Sequence, residues 1–406
     1  MDKSSWRDRG EVRRVQIFVS DLGATGVVRN AVAIANEAAA SGYEVRLLTC
    51  DAEGILGKEL SPSVAVVKLS GSDLAGRSRR AKMRSVLLSY RRHCRAWKPD
   101  ILMSAGNHGH LLSTVAWLGL PGRKLLRISN DLAHGSRSLP ARALRAAKFW
   151  LVGKFADRLV YVSHGLSRRP LPVGQPSNGK ALAIPNGVDL ERVRAAASQK
   201  CQLPWAGKDP APVVLAVGRF ARQKNFDSLL KAFAVARARR VLRLAFLGEG
   251  SRSEVARMKA LAESLGVAED VEFIAPVANP FPYMRASGVL VLPSLWEGSS
   301  NVILEALACG TPVVASRTAG DAAHVLGEGR FGLLVDPLDI EGMADAILRQ
   351  VGPDAVLPRG RAEQFSRSIA LRRYMQLFDA MLDPGGTVAL DEEPEDVCGG
   401  NTQLMT

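Results

Sequence analysis

The chain has 406 residues, 47% hydrophobic and 23% charged, which excludes a disordered, collagen-like or solenoid protein and allows a sizeable core. Its 54 Lys and Arg exceed its 40 Asp and Glu, and the excess is uneven: residues 1–190 hold 30 cations and 14 acids, the remainder 24 and 26. A basic first half points to an anionic partner, either nucleic acid or a membrane surface or lipid-phosphate substrate.

The first apolar stretch, Val15 to Val19, is too short for a secretion signal. Leu111 to Leu120, the longest nearly uncharged run, falls short of the roughly 18 apolar residues of a membrane span. Five cysteines lie far apart with no CxxC pair, so neither a zinc site nor a disulfide framework is expected, and a reducing cytoplasm fits. Cys309, in an apolar helical run, reads as a buried thiol without chemistry.

In chain order, Val15–Ser20 is a short β-branched run, Val28–Ala40 has helical apolar spacing ended by Gly42, and Val45–Thr49 is the next strand. Further strands are expected at Val64–Leu69, Ile101–Ser104, Leu125–Ser129 and Leu159–Ser163, with helices between most of them, which gives a doubly wound parallel sheet. Pro204, Gly207, Pro210 and Pro212 mark a linker. A second series follows at Val213–Val217, Leu242–Leu247, Val271–Ile274, Val289–Pro293 and Pro312–Ser316. Two tandem doubly wound domains result, with the crevice outside the strand ends as the default ligand site. A last helix, Phe365 to Leu382, precedes an acidic stretch, residues 384–406, expected to be disordered.

Leu292 to Ala306 is the most informative segment. A strand ends at Pro293, the Gly298-Ser299-Ser300-Asn301 turn offers N-cap side chains, and the helix that follows turns unpaired N–H groups toward the crevice, where an anion or hydroxyl acceptors fit. Glu297 precedes that helix and Glu305 lies inside it, two turns in. A second loop, Gly218 to Lys224, carries Arg219, suited to bidentate phosphate binding, and Lys224, a point charge; a diphosphate is the matching guest. A third, Asp21 to Val28 with Gly23 and Gly26, resembles a phosphate-approach loop but lacks GxGxxG spacing, which disfavours a nicotinamide enzyme. GxxxxGK[ST] is absent too. His108-Gly109-His110 lacks an evident third metal ligand, and a crevice-lining role suits His108 better.

Arg219-x4-Lys224, Leu247-Gly248-Glu249-Gly250, Glu297-x7-Glu305 and Ile184-Pro185-Asn186-Gly187-Val188-Asp189 together resemble the retaining glycosyltransferases of family four. The resemblance covers roughly residues 15 to 382 and implies the α/β GT-B fold, two facing Rossmann-like domains with a cleft. It implies an acceptor-binding domain over residues 1–190 and a nucleotide-sugar-binding domain over 191–364. The helix at 365–383 would return to the first domain, and a hinge is expected near residues 190–212. Arg219 and Lys224 would hold the donor pyrophosphate, Glu305 the ribose, Glu297 the transferred sugar, and Gly298, Ser299, Ser300 and Asn301 its hydroxyls through backbone groups. Gly23, Gly26 and Gly218 would border the donor, and Phe273 and Ile274 the base. No metal or other cofactor is implied, and no Asp-x-Asp occurs.

Where the family usually has a His, this chain has Asn130, with Asp131 and His134 as neighbouring acceptor-side candidates. Asn binds hydroxyls but exchanges no proton at neutral pH. Arg79–Lys98 and Leu139–Phe155 form basic amphipathic stretches; their apolar stripes fit cover for a sheet, and their cations fit an anionic membrane surface. The expectation is a peripheral cytoplasmic enzyme transferring sugar from a UDP-sugar to a glycan or lipid-linked acceptor in cell-surface polysaccharide synthesis. The rivals are a UDP-sugar epimerase of the same fold and a non-catalytic nucleotide-sugar-binding scaffold. Nucleic-acid binding has no motif to support it.

Overall fold

A computed structural model describes residues 12–383 apart from 24, 53, 71–78, 131–138, 169–179, 202, 206–209 and 359, and the backbone alone at 79–80 and 139–142. Asp131, His134 and the acidic stretch 384–406 therefore lie outside the described residues.

The first domain alternates β1 (Arg14–Val19), α1 (Gly26–Ala40), β2 (Glu44–Thr49), β3 (Val64–Lys68), α2 (Arg79–Ser85), α3 (Leu87–Trp97) and β4 (Ile101–Ser104). It continues with α4 (His110–Trp117), β5 (Arg123–Ile128), α5 (Leu139–Lys154), β6 (Arg158–Tyr161), α6 (His164–Arg168) and β7 (Ala181–Ala183). Its seven strands pair in parallel in the order β3-β2-β1-β4-β5-β6-β7. The α1 helix starts two residues earlier than the apolar spacing predicts, because Thr25 caps it by accepting a bond from Val28 N at 3.3 Å.

After α7 (Leu190–Ala197) the second domain runs β8 (Val213–Val217), α8 (Phe226–Arg239), β9 (Arg243–Leu247), α9 (Arg252–Ser264), β10 (Val271–Ile274), α10 (Phe281–Ala286) and β11 (Val289–Leu292). Then come α11 (Asn301–Ala308), β12 (Val313–Ser316), α12 (Ala322–Val325), β13 (Leu333–Val335), α13 (Ile340–Gln350) and α14 (Arg367–Leu382). Six strands lie parallel in the order β10-β9-β8-β11-β12-β13. Together the two domains form the GT-B fold. Both sheets are covered by helices on both faces, so strands such as β4 and β11 are buried at every residue and read as continuous apolar runs.

Strand order reverses between β1 and β4 and again between β8 and β11. At these switch points the loops after the strand ends diverge and leave a crevice. The loops after β1, β4, β8 and β11 therefore form the site.

Arg79–Lys98 forms two helices, α2 and α3, joined at Val86, whose side chain is buried in the core with Tyr90 and Cys94. Within the 190–212 segment Val193, Ala197 and Leu203 belong to the second domain's core. The chain passes between domains at two adjacent points. Val188 N donates to Phe365 O and Arg367 N to Val188 O, both at 2.8 Å. From there α14 packs Tyr374, Leu377 and Phe378 into the first domain's core beside Ile17 and Val32.

Candidate functional site

Glu297, on the loop after β11, is 8% exposed. Its Oε1 accepts from Lys224 Nζ at 2.7 Å and Ser294 Oγ at 2.8 Å, and its Oε2 from Gln223 Nε2 at 3.1 Å. Lys224 ends a single turn of 3-10 helix, Arg222–Lys224, after β8. The turn is set by Asn225, which takes the left-handed conformation (φ +53°) and donates to Pro293 O and Pro337 O at 3.2 and 2.7 Å. Gly218 is required under Lys224: at φ +151°, a Cβ there would stand 2.8 Å from Lys224 Cε. Lys224 and Glu297 thus form an ion pair. Two of the three ammonium protons remain for a guest. Arg219 stands exposed on the same loop.

The expected N-cap side chains do not cap α11. Ser300 Oγ instead donates to Ala319 O at 2.8 Å, and among the described residues no side-chain cap bonds the first-turn N–H groups. Asn301 Oδ1 accepts from Asn186 Nδ2 at 2.9 Å, and Asn186 Oδ1 from Arg127 Nη2 at 2.5 Å. Arg127, 1% exposed, also donates to Tyr374 Oη at 3.1 Å. A polar chain therefore links α14 and β5 in the first domain to the start of α11 in the second.

The first domain closes on this loop. A Cβ on Gly298 would lie 2.3 Å from Ser129 O and 2.7 Å from Asn130 Cα. Asn107 fixes that opposing segment, donating to Asn130 O at 2.9 Å and accepting from Ser129 N at 2.8 Å. Gly26 approaches Asn301 in the same way, and Gly23 N is held by Asp21 Oδ1 at 3.1 Å. Farther along, the Asp321 carboxylate accepts from His164 N and Gly165 N of α6 at 2.9 and 2.7 Å. Burial raises the Asp321 pKa, and these bonds oppose the rise.

Glu305 lies little more than one turn into α11, not two. It shares a cavity of about 40 Å³ with Gly26, Asn301, Phe281, Arg29, Arg192 and Arg367. Burial pushes its carboxyl up to about 7, against the pull of the three arginines toward ionisation. Near neutral pH it can both donate to and accept from a hydroxyl. Arg367 is paired with Asp189 at 3.0 Å and Arg192 with Glu59 at 3.5 Å. The Nε atoms of Arg29 and Arg367 are buried without a hydrogen-bond partner among the described residues.

Between 4.5, the ordinary value, and about 7 the folded protein keeps a Glu305 proton that the unfolded chain has released. Stability therefore falls as pH rises through this window, by on the order of 2 kcal/mol after allowance for the partly open cavity. Glu305→Gln is expected to flatten that loss in urea unfolding across the window. An unchanged slope would reject the assignment.

The ring of Phe273 stacks on Phe246 at 5.4 Å and 18° in the aromatic cluster with Phe220 and Phe226. Its neighbour Ile274 points to the opposite face, against the core that carries Leu304. His108 is exposed at the crevice rim before α4. His110 is buried, bonded to Ser104 Oγ at 2.9 Å, and driven by burial to about 3, so it stays neutral. No group of three His, Cys, Asp or Glu among the described residues is placed to hold a metal. Sequence reasoning missed Asn107, Asn186, Gln223 and the three arginines around Glu305. Asn186 and Gln223 stood in quoted motifs; the others carry no spacing signal.

The sequence model of Glycosyltransferase Family 4 matches residues 24–192, and that of Glycosyl transferases group 1 matches residues 211–352. The chain is 30% identical over 385 residues to D-inositol 3-phosphate glycosyltransferase 2 of Catenulispora acidiphila, covering 83% of this chain and 89% of that protein. It is 39% identical over 175 residues to the lipopolysaccharide core biosynthesis glycosyltransferase LpsE of Rhizobium meliloti, covering 41% of this chain and about half, 49%, of that one. HepE of Anabaena, solved with UDP-glucose, shares the fold with a TM-score of 0.71 at 17% identity, covering 90% of this chain and 99% of HepE.

Proposed function

The chain belongs to the family 4, group 1 glycosyltransferases, and from that premise we propose that it moves a sugar from a UDP-sugar to a glycan or lipid-linked acceptor of the cell surface, retaining the anomeric configuration and using no metal. The observation that carries this reading is the Lys224–Glu297 pair, 2.7 Å apart, set between the Arg219 loop and the uncapped start of α11.

In the proposed reaction the bond from the anomeric carbon to the β-phosphate oxygen breaks, and negative charge gathers on the leaving diphosphate. Arg219, the free protons of Lys224 and the first N–H groups of α11 stabilise that charge, which is the largest contribution preplaced groups make to such a reaction. Positive potential at this position does the work a metal would otherwise do. Glu297 holds Lys224 and faces the sugar; the acceptor hydroxyl enters from the Asn130 side, bonds the anomeric carbon and gives its proton to the departing phosphate oxygen. Asn130 orients a hydroxyl without exchanging a proton. Glu305 and its cavity suit ribose hydroxyls.

UDP is favoured because HepE, which shares the fold, was solved with UDP-glucose. A cell-surface acceptor is favoured by LpsE, which acts in lipopolysaccharide core synthesis, and by the basic first domain. The test is nucleotide release from UDP-, GDP- and ADP-sugars with and without a membrane extract. Release from a UDP-sugar stimulated by the extract, with a retained anomer in the product, is the expected result. Conversion of donor without an acceptor would favour an epimerase, and binding without release from any donor would favour a scaffold.

A further inference from the structure

The helices α3, α4 and α5 lie side by side on one face of the first sheet. Their inner sides bury Tyr90, Cys94, Leu112, Trp117, Phe149 and Val152 against Phe18, Leu102 and Leu126. That inner stripe accounts for the apolar periodicity of the segment. It does not account for the outer side.

Seven large apolar residues face outward from this layer: Leu88 on α3; Leu111, Val115 and Leu118 on or just after α4; Leu144, Leu151 and Phe155 on or just after α5. Their exposures run from 39% to 76%. On α4 they fall at i, i+4 and i+7, and on α5 and its end at i, i+7 and i+11, so each set forms a stripe. Cations occupy the same outer side: Arg84, Arg92, Arg95, Arg145, Lys148 and Lys154 are exposed. Residues 79–98, 110–118 and 139–155 contain no Asp or Glu. Arg91 ties the layer together by donating to Ala116 O and Leu118 O at 3.0 and 2.8 Å.

We infer that the outer face of α3, α4 and α5 docks on an anionic phospholipid bilayer, the apolar stripes entering the headgroup boundary while the surrounding cations meet lipid phosphates. This deepens, and rests on, the membrane-proximal transferase proposed above. Two features select a bilayer over other polyanions. Aliphatic side chains bury well among acyl chains and gain little from a nucleic acid, whose sites favour stacking aromatics and hydrogen-bonding groups. Helical segments that carry cations and no Asp or Glu of their own complement a continuous negative sheet. The placement is also apt: α4 begins at the crevice rim, with Leu111 three residues from His108. A lipid-borne acceptor can enter the cleft there without its tail leaving the membrane.

The test is co-sedimentation of the full chain with vesicles of phosphatidylcholine alone or mixed with phosphatidylglycerol. Binding to the mixed vesicles is expected at low salt, weakened roughly tenfold or more on neutral vesicles or at high salt. Leu144→Ser with Leu151→Ser, and separately Arg92→Gln with Arg95→Gln, should each lower binding by about tenfold. Nucleotide release with a water-soluble acceptor should stay unchanged, which separates this surface from the site. The cation pair sits at exposed positions and keeps the test open if the apolar pair disturbs folding, which thermal unfolding will show. Absent binding to the anionic vesicles, equal binding to neutral ones, or binding indifferent to the variants and displaced by an oligonucleotide would overturn the inference.

Discussion

Lys224→Ala is expected to lower the rate of sugar transfer by about 10²–10³-fold, the usual cost of removing one preplaced group that stabilises charge in a transition state. Its ammonium is the cation that the loop after β8 fixes most firmly. Gly218 seats its stem, Asn225 sets the turn that carries it, and Glu297 orients it at 2.7 Å. The substitution acts twice, because Glu297 would keep only Ser294 and Gln223 as partners while 8% exposed. A carboxylate left without its counterion in such a place costs about 1–3 kcal/mol of stability. The two effects separate in Lys224→Ala combined with Glu297→Gln. Removing the charge should restore most of the unfolding free energy and none of the turnover. Glu297→Ala alone should also abolish transfer, since it loses both the orientation of Lys224 and the group facing the sugar. Turnover and urea unfolding of the three variants decide the matter, and unchanged turnover in Lys224→Ala would remove the pair from the mechanism.

The fold was legible wherever burial on both faces made a strand continuously apolar. Ile101–Ser104 and Val213–Val217 have the same bounds in sequence and structure. The edge strands β7 and β13 were not anticipated. Each has three residues, and Ala181–Ala183 lacks any β-branched side chain to mark it. The break at Val86 has no Gly or Pro to announce it. The candidate site divides in the same way. Residues on one contiguous loop and helix, Glu297 to Glu305, stand out because a strand end, a turn and a helix start coincide there. Contacts between distant segments carry no local signal. Lys224 and Glu297 are 73 positions apart, and Asn107 holds Ser129 and Asn130 from another strand end. Arg29, Arg192 and Arg367 reach Glu305 from α1, α7 and α14.

Gly298→Ala is expected to lower turnover by about tenfold to a hundredfold while leaving nucleotide affinity nearly intact, because a misplacement of about 1 Å can cost that much. The added methyl would stand 2.3 Å from Ser129 O and 2.7 Å from Asn130 Cα. Both are backbone atoms, and Asn107 pins them, so no side-chain rotation relieves the clash. Either the crevice opens or the loop bearing Glu297 deforms. Opening is resisted nearby by the bond from Asn186 to Asn301 and by the Asp321 carboxylate, which accepts from His164 N and Gly165 N of α6. Arg219 and Lys224 lie wholly within the second domain and still meet the diphosphate, which is why binding should survive where turnover does not. Lys224→Ala should behave in the opposite sense, weakening both. A crevice held ajar also admits water, so hydrolysis of the donor should rise relative to transfer. Calorimetric titration with UDP, together with the ratio of free sugar to transferred sugar, reads both effects. Turnover and hydrolysis equal to those of the unsubstituted chain would mean that the first domain does not press on Gly298 when transfer occurs.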